Sequence, residues 1–226
     1  MMTRRRARIT ESAARRTPVL AIMLAAAGAC GSEQVFTPAQ IVRWETHLFA
    51  GPVHYERVET ESGPAVHARC EDGAASGLFR RERIDLNSTP VIEWRWRVDR
   101  TGHNRNETRR SGDDYAARLY VVDEHSLLIW RTRAINYVWA ANQPAGSDWP
   151  SAYESRSRVV ALRSGTPEEA GGWRTERRNL KKDFRSFHGR DLDAVTAIAI
   201  MTDCDDTGEP VEAWYGGIRF LPGDSD

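Results

Sequence analysis

The stretch Val91-Ile-Glu-Trp-Arg-Trp-Arg-Val98 alternates between apolar and charged side chains. Successive side chains of a β-strand point to opposite faces, so the four apolar residues from Ile92 to Val98 would share one face. The charged residues between them would occupy the other face. The pattern predicts a strand that buries Trp94 and Trp96 in a core.

The same period of two recurs along most of the chain and decides the fold class. Further strands are predicted at residues 55–58, 66–70, 77–81, 115–122, 127–130, 135–139, 158–162, 172–177, 194–201 and 211–221. Only residues 180–188 show the spacings of four and three that indicate a helix. Many short strands, one short helix and no internal linker predict an all-β fold, a single β-sandwich domain over residues 35–222.

The first 29 residues are typical of a signal segment. Six arginines precede an apolar run of about a dozen residues that ends in small side chains, an order seen in secretory signals. The run is shorter than the ~20 residues that a membrane-spanning helix needs. We expect export to the periplasm or to an outer-membrane anchor, with residues 30–34 as a tether.

Cys30 follows the small residues directly, which resembles a lipoprotein signal in which the cysteine carries the lipid. A lipid on Cys30 would attach the protein to a membrane. The string Ala27-Gly28-Ala29 also fits ordinary signal cleavage, and Ala27 stands where lipoprotein signals usually have leucine. We expect lipidation at Cys30, with plain cleavage as the alternative.

The charge distribution argues against a nucleic-acid partner. The formal net charge is zero, but residues 1–29 carry six arginines against one glutamate, so the remaining residues carry a net charge of −5. Nucleic-acid binding generally needs a basic face to neutralise phosphates. Two other cysteines, Cys70 and Cys204, are either a disulfide in an oxidising compartment or two separate buried thiols.

Several blocks occur in an order that resembles a known family. They are Ala75-Ser-Gly-Leu-Phe-Arg80, Pro90-Val-Ile-Glu-Trp-Arg-Trp-Arg-Val98, Gly112-Asp-Asp-Tyr-Ala-Ala-Arg-Leu-Tyr-Val-Val122, Asn136-Tyr-Val-Trp139, Gly146-Ser-Asp-Trp-Pro150, Met201-Thr-Asp-Cys-Asp-Asp-Thr-Gly208 and Ala213-Trp-Tyr-Gly216. Together they resemble the bacterial domain of unknown function 3047 family. The resemblance implies an envelope protein with a jelly-roll-like domain, and it implies no activity. Cys204 stands where the resemblance implies a small hydroxylated residue.

The acidic stretch Asp203-Cys-Asp-Asp-Thr-Gly208 fits the first half of a calcium loop. Ca²⁺ prefers six to eight oxygen ligands, and alternating acidic side chains before a glycine can bring several to one point. The candidate ligands are Asp203, Asp205, Thr207 and Glu209. No helices flank the stretch, and position twelve is a tryptophan, so the pattern equally fits a turn that ends a strand.

A second polar group, Asp113, Asp114 and Arg118, opens the strand predicted at 115–122. These side chains could contact a polar ligand. They could also supply one carboxylate of an acid–base pair whose partner is Asp203 or Asp205, as in glycan hydrolases or lyases. The alternative is that these charges pair with the many arginines of the chain.

Aromatic residues suggest a carbohydrate site. Tyr137 and Trp139 share a predicted strand face, and Trp149 lies in the loop that follows. Aromatic rings with nearby polar groups could hold the faces of sugars, although the same rings could instead cover the edge of a core.

No G-x-S-x-G or H-E-x-x-H motif occurs. We therefore expect a protein that binds a glycan or similar polar envelope ligand without catalysis. A glycan hydrolase or lyase, or a structural lipoprotein that docks a protein partner, are the alternatives.

Overall fold

Trp94 and Trp96 are buried between two β-sheets, with 2% and 0% of their surfaces exposed. In this computed structural model, residues 33–103, 106–125, 127, 131–165 and 172–223 are described. The predicted signal segment 1–29, Cys30, most of the tether 30–34 and most of the predicted strand 127–130 lie outside the described residues.

Thirteen strands and two helices make up the described chain. The strands are β1 (Gln34–Phe36), β2 (Glu45–Leu48), β3 (His54–Thr60), β4 (Gly63–Cys70), β5 (Ala75–Asp85), β6 (Val91–Arg100), β7 (Ala117–Asp123), β8 (Arg133–Ala140), β9 (Asp148–Pro150), β10 (Ser157–Ser164), β11 (Arg174–Asn179), β12 (Ala194–Asp203) and β13 (Val211–Leu221). The helices are α1 (Pro38–Ile41) and α2 (Leu180–His188), and Arg110–Gly112 form a 3₁₀ turn.

The strands form two sheets that face each other. Sheet A has the order β11-β6-β13-β4-β3, with β1 also paired to β13. Sheet B has the order β2-β5-β12-β7-β8-β10-β9. Neighbours are antiparallel except β8 and β10, which run parallel. The fold is thus a jelly-roll-like β-sandwich with one short helix of more than one turn, as the sequence predicts.

Alternation explains how sheet B has a buried and an open face. On β7, Leu119 and Val121 enter the core between the sheets, so Arg118 and Tyr120 point to the outer side. Helix α2 closes one end of the core with Leu180 and Phe184. Its first turn is capped by the side chain of Asn179, which accepts a hydrogen bond from the backbone of Lys182 at 3.1 Å.

Cys70, at the end of β4, and Cys204, directly after β12, form a disulfide. Their Cα atoms are 6.0 Å apart, within the usual range for such a bond. Of the two arrangements that the sequence leaves open, the structure has the disulfide. It ties sheet A to the chain that leaves sheet B.

The short elements β1, β2, β9 and α1 have no counterpart among the sequence predictions. Strands of three or four residues are too short to show a period of two. Among the described residues, no helix is long and apolar enough to cross a membrane.

Candidate functional site

An open cleft of about 900 Å³ lies on the outer face of sheet B, away from the core. The floor of the cleft contains residues that are paired with one another across neighbouring strands of sheet B. One row of paired residues crosses five neighbouring strands from β2 to β8: Glu45, Phe79, Ala199, Tyr120 and Asn136. Because directly paired residues in a sheet point to the same face, the side chains of this row all belong to the outer face.

Small side chains at the centre of sheet B give the cleft its depth. Gly77, Ala199 and Ala134 line it where the neighbouring positions carry larger groups. A Cβ atom on Gly77 would lie 2.9 Å from the backbone oxygen of Ile200 and 3.3 Å from Cβ of Met201. Position 77 therefore has no room for a side chain.

Aromatic and apolar groups surround this floor. The rings of Phe79 and Tyr120 are partly exposed in the cleft. Tyr153 on one rim is 52% exposed, and Leu48 and Phe49 on another are 59% and 63% exposed. The cleft thus offers flat rings and apolar edges to a ligand.

Arg118 lies at the centre of a buried polar network beside these rings. Its guanidinium donates to both carboxylate oxygens of Asp203, with an Nε–Oδ1 distance of 2.8 Å. It also donates to Oδ2 of Asp113 at 3.4 Å and to the Tyr120 hydroxyl at 3.2 Å. The backbone N–H of Tyr115 adds a further bond to Asp203 at 3.0 Å. The network fixes the position of the guanidinium before any ligand arrives.

Burial shifts the pKa values of the carboxyl groups in this network. It raises the pKa of Asp203 above its usual range, although the Arg118 guanidinium acts in the opposite direction. Burial also raises the pKa of Asp113, again against Arg118. The pKa of Arg118 itself lies above its usual range, because the neighbouring acidic groups outweigh the effect of burial.

Asp114 points away from this network and supports the turn at residues 204–208, which we call the acidic loop. Its carboxylate accepts the backbone N–H groups of Asp206 at 3.0 Å and Thr207 at 2.7 Å. The hydroxyl of Tyr153 donates to Asp206 at 2.6 Å. Asp114 therefore holds the acidic loop, and Tyr153 joins it to the rim of the cleft.

The four predicted metal ligands do not converge. Asp203 is engaged by Arg118, and Glu209 lies 3.3 Å from Nδ1 of His103. The Thr207 hydroxyl accepts the N–H of Glu209 at 3.3 Å. Only Asp205 lies in an acidic group, with one oxygen each from Asp205, Asp114 and Asp206 within 4.8 Å of one another.

The structure corrects the aromatic site predicted from Tyr137, Trp139 and Trp149, because all three rings are buried. Tyr137 and Trp139 belong to the core between the sheets. The Tyr137 hydroxyl donates to Asp183 at 2.6 Å, and the Trp139 N–H donates to the backbone oxygen of Gly165 at 2.8 Å. Trp149 packs on the outer face of sheet B in a small cluster with Tyr115 and Val159.

Of the predicted polar residues, Asp113 and Arg118 line the cleft and Asp114 does not. Two of the rings that do line it, Phe79 and Tyr120, are not among the residues that the sequence predicts for a site. A signal for Tyr120 existed, because it stands two residues from Arg118 on a predicted strand and must share its face. No comparable signal placed Phe79 beside Tyr120.

A family model described as "Protein of unknown function (DUF3047)" matches residues 42–219. No curated protein matches the chain. Among solved structures, the family 30 carbohydrate-binding module of the cellulosomal cellulase Cel9D-Cel44B of Clostridium thermocellum is similar, with 11% identity and a TM-score of 0.47 over 82% of this chain and 94% of that chain.

Two further solved structures are also similar. One is the family 11 carbohydrate-binding module from Clostridium thermocellum in complex with a beta-1,3-1,4-mixed-linked tetrasaccharide, with 12% identity and a TM-score of 0.46 over 86% of this chain and 98% of that chain. The other is a cellulase derived from Cel12A of Rhodothermus marinus, with 10% identity and a TM-score of 0.41 over 82% and 99%. Likeness at this level concerns the fold and carries no statement about a ligand.

Proposed function

The chain belongs to the DUF3047 family of proteins of unknown function, and we propose that it binds a glycan in the cleft on the outer face of sheet B. The observation that carries the proposal is the position of the partly exposed rings of Phe79 and Tyr120 beside the fixed guanidinium of Arg118. The volume of about 900 Å³ lies within the range of small-molecule sites.

A glycan matches these groups chemically. The C–H faces of a sugar ring are apolar and can stack on flat aromatic rings, while its hydroxyls need hydrogen-bonding partners at the edges. The Tyr120 hydroxyl accepts a hydrogen bond from Arg118 and can donate one to a sugar hydroxyl beside the rings. Because the cleft is open and crosses several strands, it supports a ligand of more than one sugar unit.

Binding to a panel of soluble oligosaccharides, measured by isothermal titration calorimetry, tests the proposal. We expect Tyr120→Ala and Phe79→Ala each to weaken binding by about 1–3 kcal/mol, the size of a lost aromatic contact in a site of this kind. The matched control is Trp214→Ala, since Trp214 is a partly buried ring on sheet A that stacks on His67 at 4.5 Å. Equal affinity in all four proteins would overturn the proposal.

A glycan hydrolase or lyase is the second candidate, and the raised pKa of Asp203 and of Asp113 favours it. Both carboxyls line one cleft, and a group protonated near neutral pH can act as a general acid. Both also contact Arg118, which a catalytic pair would have to release. Release of reducing ends from a bound oligosaccharide, abolished in Asp203→Asn, would support this function over binding alone.

We also propose that the protein is exported and held at a membrane by a lipid on Cys30. The disulfide between Cys70 and Cys204 supports export, because such bonds persist in oxidising compartments. Cell fractionation of the full chain, compared with Cys30→Ala, tests both parts. We expect the wild-type protein in the membrane fraction and the Cys30→Ala variant in the soluble envelope fraction.

A further inference from the structure

The charges that line the cleft are unbalanced. Three carboxylates that line it, Glu45, Asp205 and Asp206, have no ion pair with a basic side chain among the described residues. Asp205 and Asp206 lie at the acidic loop, and Glu45 lies on the edge strand β2.

The two arginines that line the cleft are paired mainly with other carboxylates, and Arg81 is attracted by Glu45 less strongly than by Glu124. Arg118 is occupied by Asp203 and Asp113. Arg81 forms two hydrogen bonds to Glu124, at 3.0 and 3.1 Å. An anionic ligand would therefore meet unpaired negative charge without a free basic group in the described part of the cleft.

Ser157 provides an independent sign that the cleft receives a polar ligand. This residue lines the cleft and is 6% exposed, and its hydroxyl has no hydrogen-bond partner among the described residues. Buried hydroxyls are nearly always paired, so this orphan on the cleft side of sheet B is a candidate for a hydrogen bond with a group outside the chain. A serine hydroxyl can donate as well as accept, so it suits a sugar hydroxyl or amine.

We propose that the cleft selects glycans that carry protonated amines, such as polymers of unacetylated amino sugars, over neutral and anionic glycans. This inference rests on the proposed glycan-binding function. Each ammonium group that comes near Glu45 or the acidic loop gains a carboxylate that has no ion pair with a basic side chain among the described residues. The rings of Phe79 and Tyr120 would hold the sugar faces in either case, so the charge adds selectivity to a general glycan site.

The test compares three oligosaccharides of equal length: a glucosamine oligomer, its N-acetylated counterpart and an oligo-uronate. Titration calorimetry is run with a chelator present, so that metal ions play no part. We expect the glucosamine oligomer to bind about tenfold more tightly than the N-acetylated one at low salt, and the uronate to bind least. The preference should shrink as sodium chloride is added, because salt screens exposed charges.

Variants separate charge selection from general binding. Glu45→Gln with Asp205→Asn should remove most of the preference for the amine, so that the ratio of the two affinities falls from about ten towards one. Ser157→Ala should weaken the binding of every oligosaccharide several-fold and leave the preference for the amine intact. The control is Glu61→Gln, an exposed carboxylate on the turn between β3 and β4, which should change neither quantity.

The outcomes distinguish this inference from the proposed function. Equal binding of the glucosamine and N-acetylated oligomers would overturn amine selection and leave glycan binding standing. Tightest binding of the uronate would also overturn it. If the protein binds none of the three oligosaccharides and no glycan of the wider panel, both proposals are overturned.

Discussion

At the scale of single residues, the ion pair between Arg118 and Asp203 is the most consequential contact. Their side chains are only 3% and 4% exposed. Removing one member of a buried pair leaves an uncompensated charge, which costs about 3–5 kcal/mol. Arg118→Met should therefore lower the free energy of unfolding by about that amount, as measured by urea denaturation.

The matched control for this experiment is Arg57→Met, because Arg57 pairs with Glu59 on the surface of sheet A with side chains 45% and 64% exposed. Exposed pairs contribute about 0–1 kcal/mol. A loss of similar size in Arg57→Met and Arg118→Met would contradict the role we assign to the buried pair.

His188 at the end of α2 predicts a pH dependence of stability. Its Nε2 lies 2.9 Å from the backbone oxygen of Ala134, and burial lowers the pKa of the imidazole, with the nearby Arg133 and Arg190 acting in the same direction. The unfolded chain then binds a proton more readily than the folded one. The contribution of this residue is present above the unfolded pKa of about 6.5 and is lost as the pH falls below it.

Thermal unfolding at pH 7 and at pH 5 measures this effect. The wild-type protein should lose more stability between the two values than His188→Gln, which can still donate to Ala134 but does not titrate. Other groups titrate equally in both proteins, so the difference isolates His188. An identical pH profile for both would refute the prediction.

Residue identity alone could not place the aromatic site, and β8 shows why. Both of its faces are largely apolar, with Ile135, Tyr137 and Trp139 on one and Ala134, Asn136 and Val138 on the other. The large rings pack into the core, since burying them removes the most apolar surface from water. A large ring on a strand with two apolar faces is therefore better predicted as a core residue than as a ligand contact.

At the scale of elements, the long strands could be predicted and the short ones could not. The strands β6 and β13 are ten and eleven residues long and show their period over several repeats. The strand β2 has four exposed residues and carries no alternation of burial. It nevertheless supplies Glu45 to the cleft, so part of the site was invisible to periodicity.

Calcium at the acidic loop stays a prediction, now with a different set of ligands. Asp114, Asp205 and Asp206 offer carboxylate oxygens in one place, as Ca²⁺ prefers. If they bind it, calcium at about a hundredfold excess over Kd should raise the stability by about 2.7 kcal/mol.

Thermal melts with chelator and then with Ca²⁺ measure this change, and Asp205→Asn should abolish it. Glu61→Gln, whose side chain lies outside the loop, should respond like the wild type. The absence of any shift in the wild type would contradict calcium binding at the acidic loop.

At the scale of the whole molecule, the cleft depends on the order of strands in sheet B. Glu45, Phe79, Tyr120 and Ala199 are neighbours in space because β2, β5, β12 and β7 are adjacent, although they are far apart in sequence. Alternation predicts which residues share a face of one strand, but it does not predict which strands are neighbours. The sandwich was therefore predictable, and the composition of its open face was not.

The disulfide between Cys70 and Cys204 links the two sheets, and its loss should be felt by the whole molecule. The cysteines are 134 residues apart, and a cross-link that closes so long a loop restricts the unfolded chain strongly. Replacing both with alanine, which avoids a buried hydroxyl, should lower the free energy of unfolding by about 2–5 kcal/mol in urea denaturation. A reducing agent should bring the wild type down to a similar stability and leave the double variant unchanged. If the reductant leaves the wild type as stable as before, the bond does not contribute to the fold.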